Sequence, residues 1–572
     1  MSIVQTKQCQ NCKQNFIIEP DDFDFYEKIK VPPPSRCPEC RLIRRAVFRN
    51  YNNFYKRKCD LCGCSIISNY STNTPYKIYC VKCWWSDGWD PFDYEQKIDF
   101  SRNFFEQFSD FEKRVPAISL MNDDGIGSIN CRYTYDFAEG KNCYLVFSCW
   151  RVEDSFNCCH TNYVKQLADS LHTHNSELCY ETIHCNRCYN CRFTYCSQDS
   201  HDCHFVYNLK NCSHCFLSSN LRNKKYFVFN KPYSKEEYEK ILKQYELDTF
   251  HGQRKAKEQF NKLILEAIRR SSRNIRCTNS FGDNLRNCKN LYYGFIFNDV
   301  VDSKFLFFGD TAENSYDILF SAKVKLCYEG ITIDKSHLAR FAILSWNCSD
   351  IHYSNHCHSS SHLFACVGLR NKQYCILNKQ YSKEEYEALV PKIISHMNDM
   401  PYTDKKGRVY KYGEFFPTEL SPFAYNETIA QEYFPLTKQQ AQEQGYLWKD
   451  PEPRNYQITI KSQDLPDNIK DVEDSILKEI IGCAHQGRCN EQCTEAFRII
   501  PQELAFYRRM NLPLPRLCPN CRHYQRLKQR NPLKLWKRQC MAPGCPNTFE
   551  TSYAPDRPEI VYCEACYLKE VV

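Results

Sequence analysis

The sequence predicts a mainly β protein: a duplicated β-solenoid body with capping helices, flanked at both ends by duplicated pairs of four-cysteine zinc modules. Three observations lead there. Cys-x2-Cys knuckles crowd both termini, a short Asn/Asp–Ser/Cys–apolar motif recurs through the middle, and long segments return at offsets of 481 and 148 residues.

With 38 cysteines in 572 residues and 42% hydrophobic residues, the chain is too apolar to be disordered and long enough for several cores. Its start shows no basic segment followed by an apolar one, and no run approaches the roughly eighteen apolar residues of a membrane span. The expectation is a cytoplasmic chain without a membrane partner. Thiols stay reduced in that compartment, so the cysteines point to metal binding or to buried free thiols rather than to disulfides.

The two ends read as copies. A shift of 481 lays Cys12 on Cys493, Phe25-Tyr26 on Phe506-Tyr507, Cys37-Pro-Glu-Cys40-Arg41 on Cys518-Pro-Asn-Cys521-Arg522, and Cys59 on Cys540. After a two-residue insertion, Cys62 meets Cys545, Tyr79-Cys80 meets Tyr562-Cys563 and Cys83 meets Cys566. Two cysteines so spaced form a knuckle, and two knuckles close a tetrahedron around a d¹⁰ ion. The expected sets are Cys9, Cys12, Cys37, Cys40; Cys59, Cys62, Cys80, Cys83; Cys489, Cys493, Cys518, Cys521; and Cys540, Cys545, Cys563, Cys566, for about four zinc ions per chain. Cys483 or His485 could replace Cys489, whose knuckle is one residue longer. Sets without an open position are structural rather than catalytic.

Cys9-Gln-Asn-Cys12-Lys-Gln-Asn-Phe16, Phe25-Tyr26 and Pro34-Ser-Arg36-Cys37-Pro38-Glu-Cys40-Arg41 resemble a family of zinc-ribbon, treble-clef-like domains. The second copy departs from it at Leu517, with Arg516 one place early. The whole chain resembles large zinc-ribbon proteins of candidate-phyla bacteria through Trp84-Trp85-Ser86-Asp87, Leu369-Arg370-Asn371-Lys372, Gly413-Glu-Phe415-Phe416-Pro417 and Ser421-Pro422-Phe423-Ala424-Tyr425-Asn426-Glu427. The resemblance implies tandem zinc ribbons at the ends and brings no activity with it.

Between the ends, segments such as Asp202-Cys-His-Phe-Val-Tyr207 and Asn314-Ser-Tyr-Asp-Ile-Leu-Phe320 repeat a seven-residue pattern. In the second half its Ser/Cys position falls at 288, 303, 315, 327, 336, 348 and 357. Short strands each preceded by a turn-forming Asn or Asp read as solenoid coils, with small Ser and Cys side chains stacked inside and strand alternation turning other apolar residues inward. The middle thiols are expected to be reduced, buried and metal-free. Leu221-Arg-Asn-Lys-Lys-Tyr226 with Tyr233-Ser-Lys-Glu-Glu-Tyr-Glu239 returns 148 residues on, and Ser234/Glu237 and Ser382/Glu385 have capping-box spacing, so a helix follows each half. Another helix is expected over 251–272, where Phe260, Leu263, Ile264, Ala267 and Ile268 keep helical spacing.

This reading divides the chain into tandem zinc ribbons at 1–92, a helical connector at 93–125, solenoid halves at 126–232 and 274–380, a helical insertion at 233–273, a helix and aromatic-rich connector at 381–475, and tandem zinc ribbons at 476–572. Two sharper readings concern the middle. Cys185, Cys188, Cys191 and Cys196 are spaced somewhat like iron–sulfur ligands but lack the following proline, and His201, His204 and His214 lie near Cys203, Cys212 and Cys215. The aromatics of 400–475 point to packing on a neighbouring surface, with base stacking as the alternative.

The net charge of +8 is carried by the ends: 36–58 holds eight basic residues and one acid, and 516–538 holds eight and none. This predicts a non-enzymatic zinc protein that binds RNA or DNA phosphates through Arg41, Arg44, Arg45, Arg522 and Arg526. The alternatives are a structural or protein-assembly scaffold, with a protein partner or a homo-oligomer, and a solenoid carbohydrate-active enzyme. A competing account of the arginines is that they pair with carboxylates elsewhere in the molecule.

Overall fold

The body is shaped by backbone corners. Positive φ recurs at every third residue from Asn130 to Tyr226 and from Asn284 to Tyr374, with values near those of Asn130 (53°), Asp136 (54°) and Asn284 (58°). Asn and Asp tolerate this left-handed region best, which is why they punctuate the sequence. A computed structural model describes residues 4–122, 127–452 and 456–572; the boundary expected at 125/126 lies outside the described residues.

Between corners the chain runs as short strands, each parallel to the segment twelve residues on: Thr134 pairs with Val146, Tyr180 with Arg192, Arg192 with His204, and His204 with Phe216. In the second half Leu306 pairs with Ile318 and Ser349 with Ser361. The two halves form one ten-stranded and one nine-stranded sheet. Corner side chains extend the ladder outside, where Asn142 Nδ2 donates to Asp154 Oδ1 at 2.9 Å and Asn290 Nδ2 to Asp302 Oδ1 at 2.7 Å. At Gly282 the offset changes from eleven to twelve residues, and a Cβ there would sit 1.8 Å from the Gly294 carbonyl oxygen.

The residue after each corner faces inward. Cys179, Cys191, Cys203 and Cys215, twelve apart, are fully buried in one column, and Ser303, Ser315, Cys327 and Ala339 line another in the second half. The expected two-residue alternation is therefore replaced by a three-residue period, because a corner turns the chain before a second side chain can point in. Small polar residues also satisfy the backbone that these corners expose. Ser345 Oγ donates to the Ile343 carbonyl at 3.0 Å and accepts from Cys357 N at 3.2 Å; Cys357 Sγ donates to the Asn355 carbonyl at 3.6 Å.

Each sheet ends on an antiparallel pair, Phe227 with Pro232 and Cys375 with Gln380, followed by a capped helix, Lys235–Tyr245 or Lys383–Asp399. Both capping boxes form, at Ser234/Glu237 and Ser382/Glu385. The helix expected over 251–272 spans Phe250–Glu266 instead; Arg269–Arg270 is drawn out to pair with Val561–Tyr562 of the C-terminal module. The halves meet through stacked rings, His160 lying 5.6 Å from Phe308 and 5.1 Å from Phe320, with His172 4.8 Å from His160. Several of the 400–475 aromatics are packing residues: Phe415, Phe416 and Tyr425 are buried, and Phe416 lies 5.2 Å from Phe108 and 5.6 Å from Tyr353, while Tyr456 is exposed.

Each terminal module has two antiparallel pairs and two central helices. The first comprises Gln5–Gln8 with Asn15–Ile18, helices Pro20–Lys28 and Pro38–Ala46, and Tyr55–Lys58 with Ser65–Ser68. The second comprises Ile481–Gly482 with Ala496–Phe497, helices Pro501–Arg509 and Pro519–Leu527, and Trp536–Gln539 with Thr548–Thr551. Among the described residues no helix is long and apolar enough to cross a membrane.

The inward hydroxyl of Ser345 gives a direct test. Ser345→Ala strands the buried Cys357 N–H and is expected to cost about 1–3 kcal/mol, and Ser345→Leu to cost more through overpacking. Urea unfolding should rank wild type above the alanine variant and that above the leucine variant; equal midpoints would contradict the inward placement.

Candidate metal centres and the arginine contacts behind them

In the first module, Cys9 and Cys12 sit on the turn between Gln5–Gln8 and Asn15–Ile18, while Cys37 caps the Pro38–Ala46 helix and Cys40 lies in its first turn. Pro38 at the first helical position suits this start, since no amide hydrogen is needed there. The four sulfurs lie within 4.8 Å of one another, with Cys12 and Cys37 3.7 Å apart. A tetrahedral ion at metal–sulfur distances of about 2.3 Å requires edges of about 3.8 Å. Cys59, Cys62, Cys80 and Cys83 form a second group, with Cys64 as an additional thiol 3.2 Å from Cys62 that the spacing argument passed over. Cys540, Cys545, Cys563 and Cys566 form another, with Cys545 and Cys563 3.9 Å apart.

The remaining set is Cys483, Cys493, Cys518 and Cys521. Cys483 occupies the position given in the sequence to Cys489, and the two modules agree on this: Cys37 N donates to Cys9 Sγ at 3.3 Å, and Cys518 N donates to Cys483 Sγ at 3.3 Å. Cys489 instead groups with His485, Glu491 and Cys521.

The crowding splits the thiol titrations. A hydrogen bond from Cys37, with another from Cys40, pulls Cys9 far below an ordinary thiol, while the bonds Cys37 makes to Cys40 and Cys9, together with burial, drive Cys37 far up. Backbone and side-chain hydrogen bonds from Cys64 bring Cys62 down to about 6. Such sets hold thiolate character that a dication would compensate. Among the described residues no disulfide links the cysteines.

In the body, Cys185, Cys188 and Cys191 point inward, but Cys196 occupies a corner and faces Arg273 Nη1 at 3.1 Å, so the iron–sulfur-like run is not brought together. Cys203, Cys212 and Cys215 likewise face the interior, while His201 and His214 meet Asp202 on the outside, His201 at 2.8 Å. The wall of the body separates these thiols from the histidines.

Arg41, Arg44, Arg45, Arg522 and Arg526, expected to meet nucleic-acid phosphates, are 0–4% exposed and face the body. This corrects the sequence expectation. Arg41 and Arg45 share Asp317 at 2.9 Å each, and Arg45 and Arg44 share Glu329 at 3.1 and 2.5 Å. Arg44 and Arg36 share Glu414 at 2.5 and 2.9 Å. In the other module Arg522 pairs with Asp169 and, at 3.4 Å, with Glu503, while Arg526 reaches Asp169 at 2.8 Å. Arg49 links the halves through Asp136 at 2.5 Å and hydrogen bonds to Ser148 and Thr332. The charge of these buried arginines is spent on internal carboxylates, and a phosphate cannot reach it. Burial works against the Glu414 carboxylate, but Arg44 and Arg36 outweigh it and hold the group down to about 2.

The Phe-Tyr pairs dock beside the arginines. Phe25 stacks on Tyr316 at 3.8 Å and Tyr26 meets Tyr328 at 5.5 Å, while Phe506 meets Phe156 at 6.3 Å and Tyr507 meets Tyr180 at 6.1 Å. The central helices of the N-terminal module therefore sit on the second half of the body and those of the C-terminal module on the first.

No family model matches the chain. No curated protein matches it. Among solved structures, a Desulfovibrio desulfuricans G20 chain described as a "putative acetyltransferase" aligns over 49% of this chain and 84% of its own length, at 9% identity and a TM-score of 0.10, which carries no functional argument.

Removing one side of a buried pair should expose the cost. Asp317→Asn and Asp169→Asn each remove the buried carboxylate that two arginines share and are expected to destabilise the protein by about 3–5 kcal/mol, whereas Arg102→Ala, which breaks an exposed pair with Asp110, should cost no more than about 1 kcal/mol. Denaturant unfolding measures all three; equal effects would refute the buried clamp.

Proposed function

We propose that the protein is a non-enzymatic zinc-dependent scaffold: a duplicated β-solenoid body held by tandem zinc ribbons at both ends. The observation that carries this reading is the crosswise pairing of ribbon arginines with body carboxylates, Arg41 and Arg45 on Asp317 and Arg522 and Arg526 on Asp169. Zinc fits the all-sulfur donor sets, and a closed four-thiolate site supplies folding energy rather than a reactive position. The ions of the sets that contain Cys37 and Cys518 would fix the starts of the two helices that carry the arginines. The ribbons are then internal struts, and the surface left for a protein partner or a second copy is the outside of the body, where Tyr163 and Tyr189 are about half exposed.

Protein purified without added metal should contain one zinc for each four-thiol set, hence no fewer than about four per chain. Chelation should cause loss of body structure as well as ribbon structure, read by circular dichroism and hydrogen exchange. Fewer than about three zinc ions, or iron with acid-labile sulfide, would overturn the zinc assignment. Because the arginines are already paired, RNA and DNA binding at low salt should be absent. Salt-sensitive binding to either would overturn the scaffold reading in favour of a nucleic-acid one.

A further inference from the structure

The C-terminal module carries one feature without a counterpart at the other end. Cys9 and Cys12 are separated by two residues, but Cys483 and Cys493, which take their places, are separated by nine. The additional segment is held by tight turns, with Gln486 N donating to the Cys483 carbonyl at 2.9 Å and Arg488 N to the His485 carbonyl at 2.8 Å. It supplies His485, Cys489 and Glu491, whose ligand atoms lie within 4.8 Å of one another and of Cys521 Sγ.

We propose that Cys521 bridges two metal ions, the four-thiol ion and a second one held by His485, Cys489 and Glu491. This rests on the reading of the four-thiol sets as zinc sites. Cys489 Sγ lies 3.7 Å from Cys521 Sγ, and Cys483 Sγ lies 3.9 Å from the same sulfur, both close to the edge of a zinc–thiolate tetrahedron. Glu491 is 6% exposed, and its Oε2 lies 3.2 Å from His485 Nδ1, an ion pair only when the histidine is protonated, with no hydrogen-bond partner to either atom otherwise. Two buried polar atoms left in that state are costly unless something binds both, and a cation does. Lys528 Nζ holds the other carboxylate oxygen of Glu491, which fixes the group and leaves Oε2 for the ion. Such outer contacts are what orient a ligating carboxylate.

A mixed nitrogen, sulfur and oxygen set closed by a shared thiolate suits zinc or another borderline-soft dication rather than magnesium or calcium. The added thiolate and carboxylate match the added ion's charge, so the pair of sites carries the same net charge as one four-thiolate site. The N-terminal module serves as an internal control. There the sulfur equivalent to Cys521, Cys40 Sγ, accepts a hydrogen bond from Asn11 Nδ2 at 3.3 Å where the other module brings up Cys489.

Native mass spectrometry and elemental analysis of the full chain test the bridge. Wild type is expected to hold five zinc ions. His485→Ala with Cys489→Ser, and separately Glu491→Gln, should lose one while the four-thiol ions remain, and Asn11→Ala should lose none. After exchange into ¹¹³Cd, two resonances of the wild type should show cadmium–cadmium scalar coupling through the shared sulfur, and the double variant should not. Four ions in the wild type, five that survive the double variant, or uncoupled resonances would each overturn the bridge. A total below about three, or iron in place of zinc, would instead bring down the underlying zinc assignment.

Discussion

Two aspartates, Asp317 and Asp169, hold the molecule together, each receiving two arginines from a terminal module inside a fully buried contact. Buried ion pairs rarely add stability over a well-packed apolar contact, but separating them is expensive because each charge is left out of water. The contact therefore fixes which surfaces meet more than how tightly. Its geometry requires arginines one helical turn apart on one face, as Arg41 and Arg45 are on Pro38–Ala46 and Arg522 and Arg526 on Pro519–Leu527. Cys37 and Cys518 cap these helices. A candidate metal-ligand position and a docking face thus belong to one piece of chain.

The two internal repeats meet in this contact. Asp317 and Glu329 lie 148 residues after Asp169 and Glu181, just as Arg522 and Arg526 lie 481 after Arg41 and Arg45. Both offsets describe one interface made twice. Because the central helices of the N-terminal module dock on the second half and those of the C-terminal module on the first, these contacts cross, and neither half can separate without uncovering charge. The match is incomplete where the halves touch each other: Arg49 links both halves, while its counterpart Arg530 lies 4.6 Å over the ring of Tyr433 and donates to its hydroxyl at 2.8 Å.

Ligand spacing made most of the metal sets legible, since two cysteines on a knuckle have few other uses, and capping boxes located both post-body helices. The choice of Cys483 over Cys489 was not legible, because nine intervening residues can close on a ligand site only if their own fold is known. The three-residue period was visible but unread: the Ser/Cys positions at 303, 315, 327, 336, 348 and 357 are separated by multiples of three, whereas strand alternation suggested two. Charge counting misled on the arginines because it registers how many charges a segment carries, not which way they face. The signal that could have corrected it was the recurrence of Asp169 and Glu181 as Asp317 and Glu329 at corner positions of the body.

Cysteine serves two different purposes in one chain, and its surroundings decide which. Where a thiol stands alone inside the body, burial disfavours its charge: Cys327 and Cys348 are pushed up to about 11, and Cys327 Sγ donates to the Lys325 carbonyl at 3.3 Å. Such a sulfur acts as a small polar filler, which is why serine replaces it so freely along the columns. The long column is less simple, since Cys191 accepts hydrogen bonds from Cys179, Cys188 and Cys203 and is held low by them. Its sulfurs are nevertheless sealed behind a wall of paired backbone. In the modules four thiols converge at the turns and helix starts instead, with Cys12 and Cys62 exposed, and a hydrogen bond from the Cys566 backbone brings Cys563 down to about 6. Thiolate character, an open approach and four converging sulfurs come together at these turns and helix starts, so the groups suited to a metal ion lie at the ends although many of the cysteines lie between them.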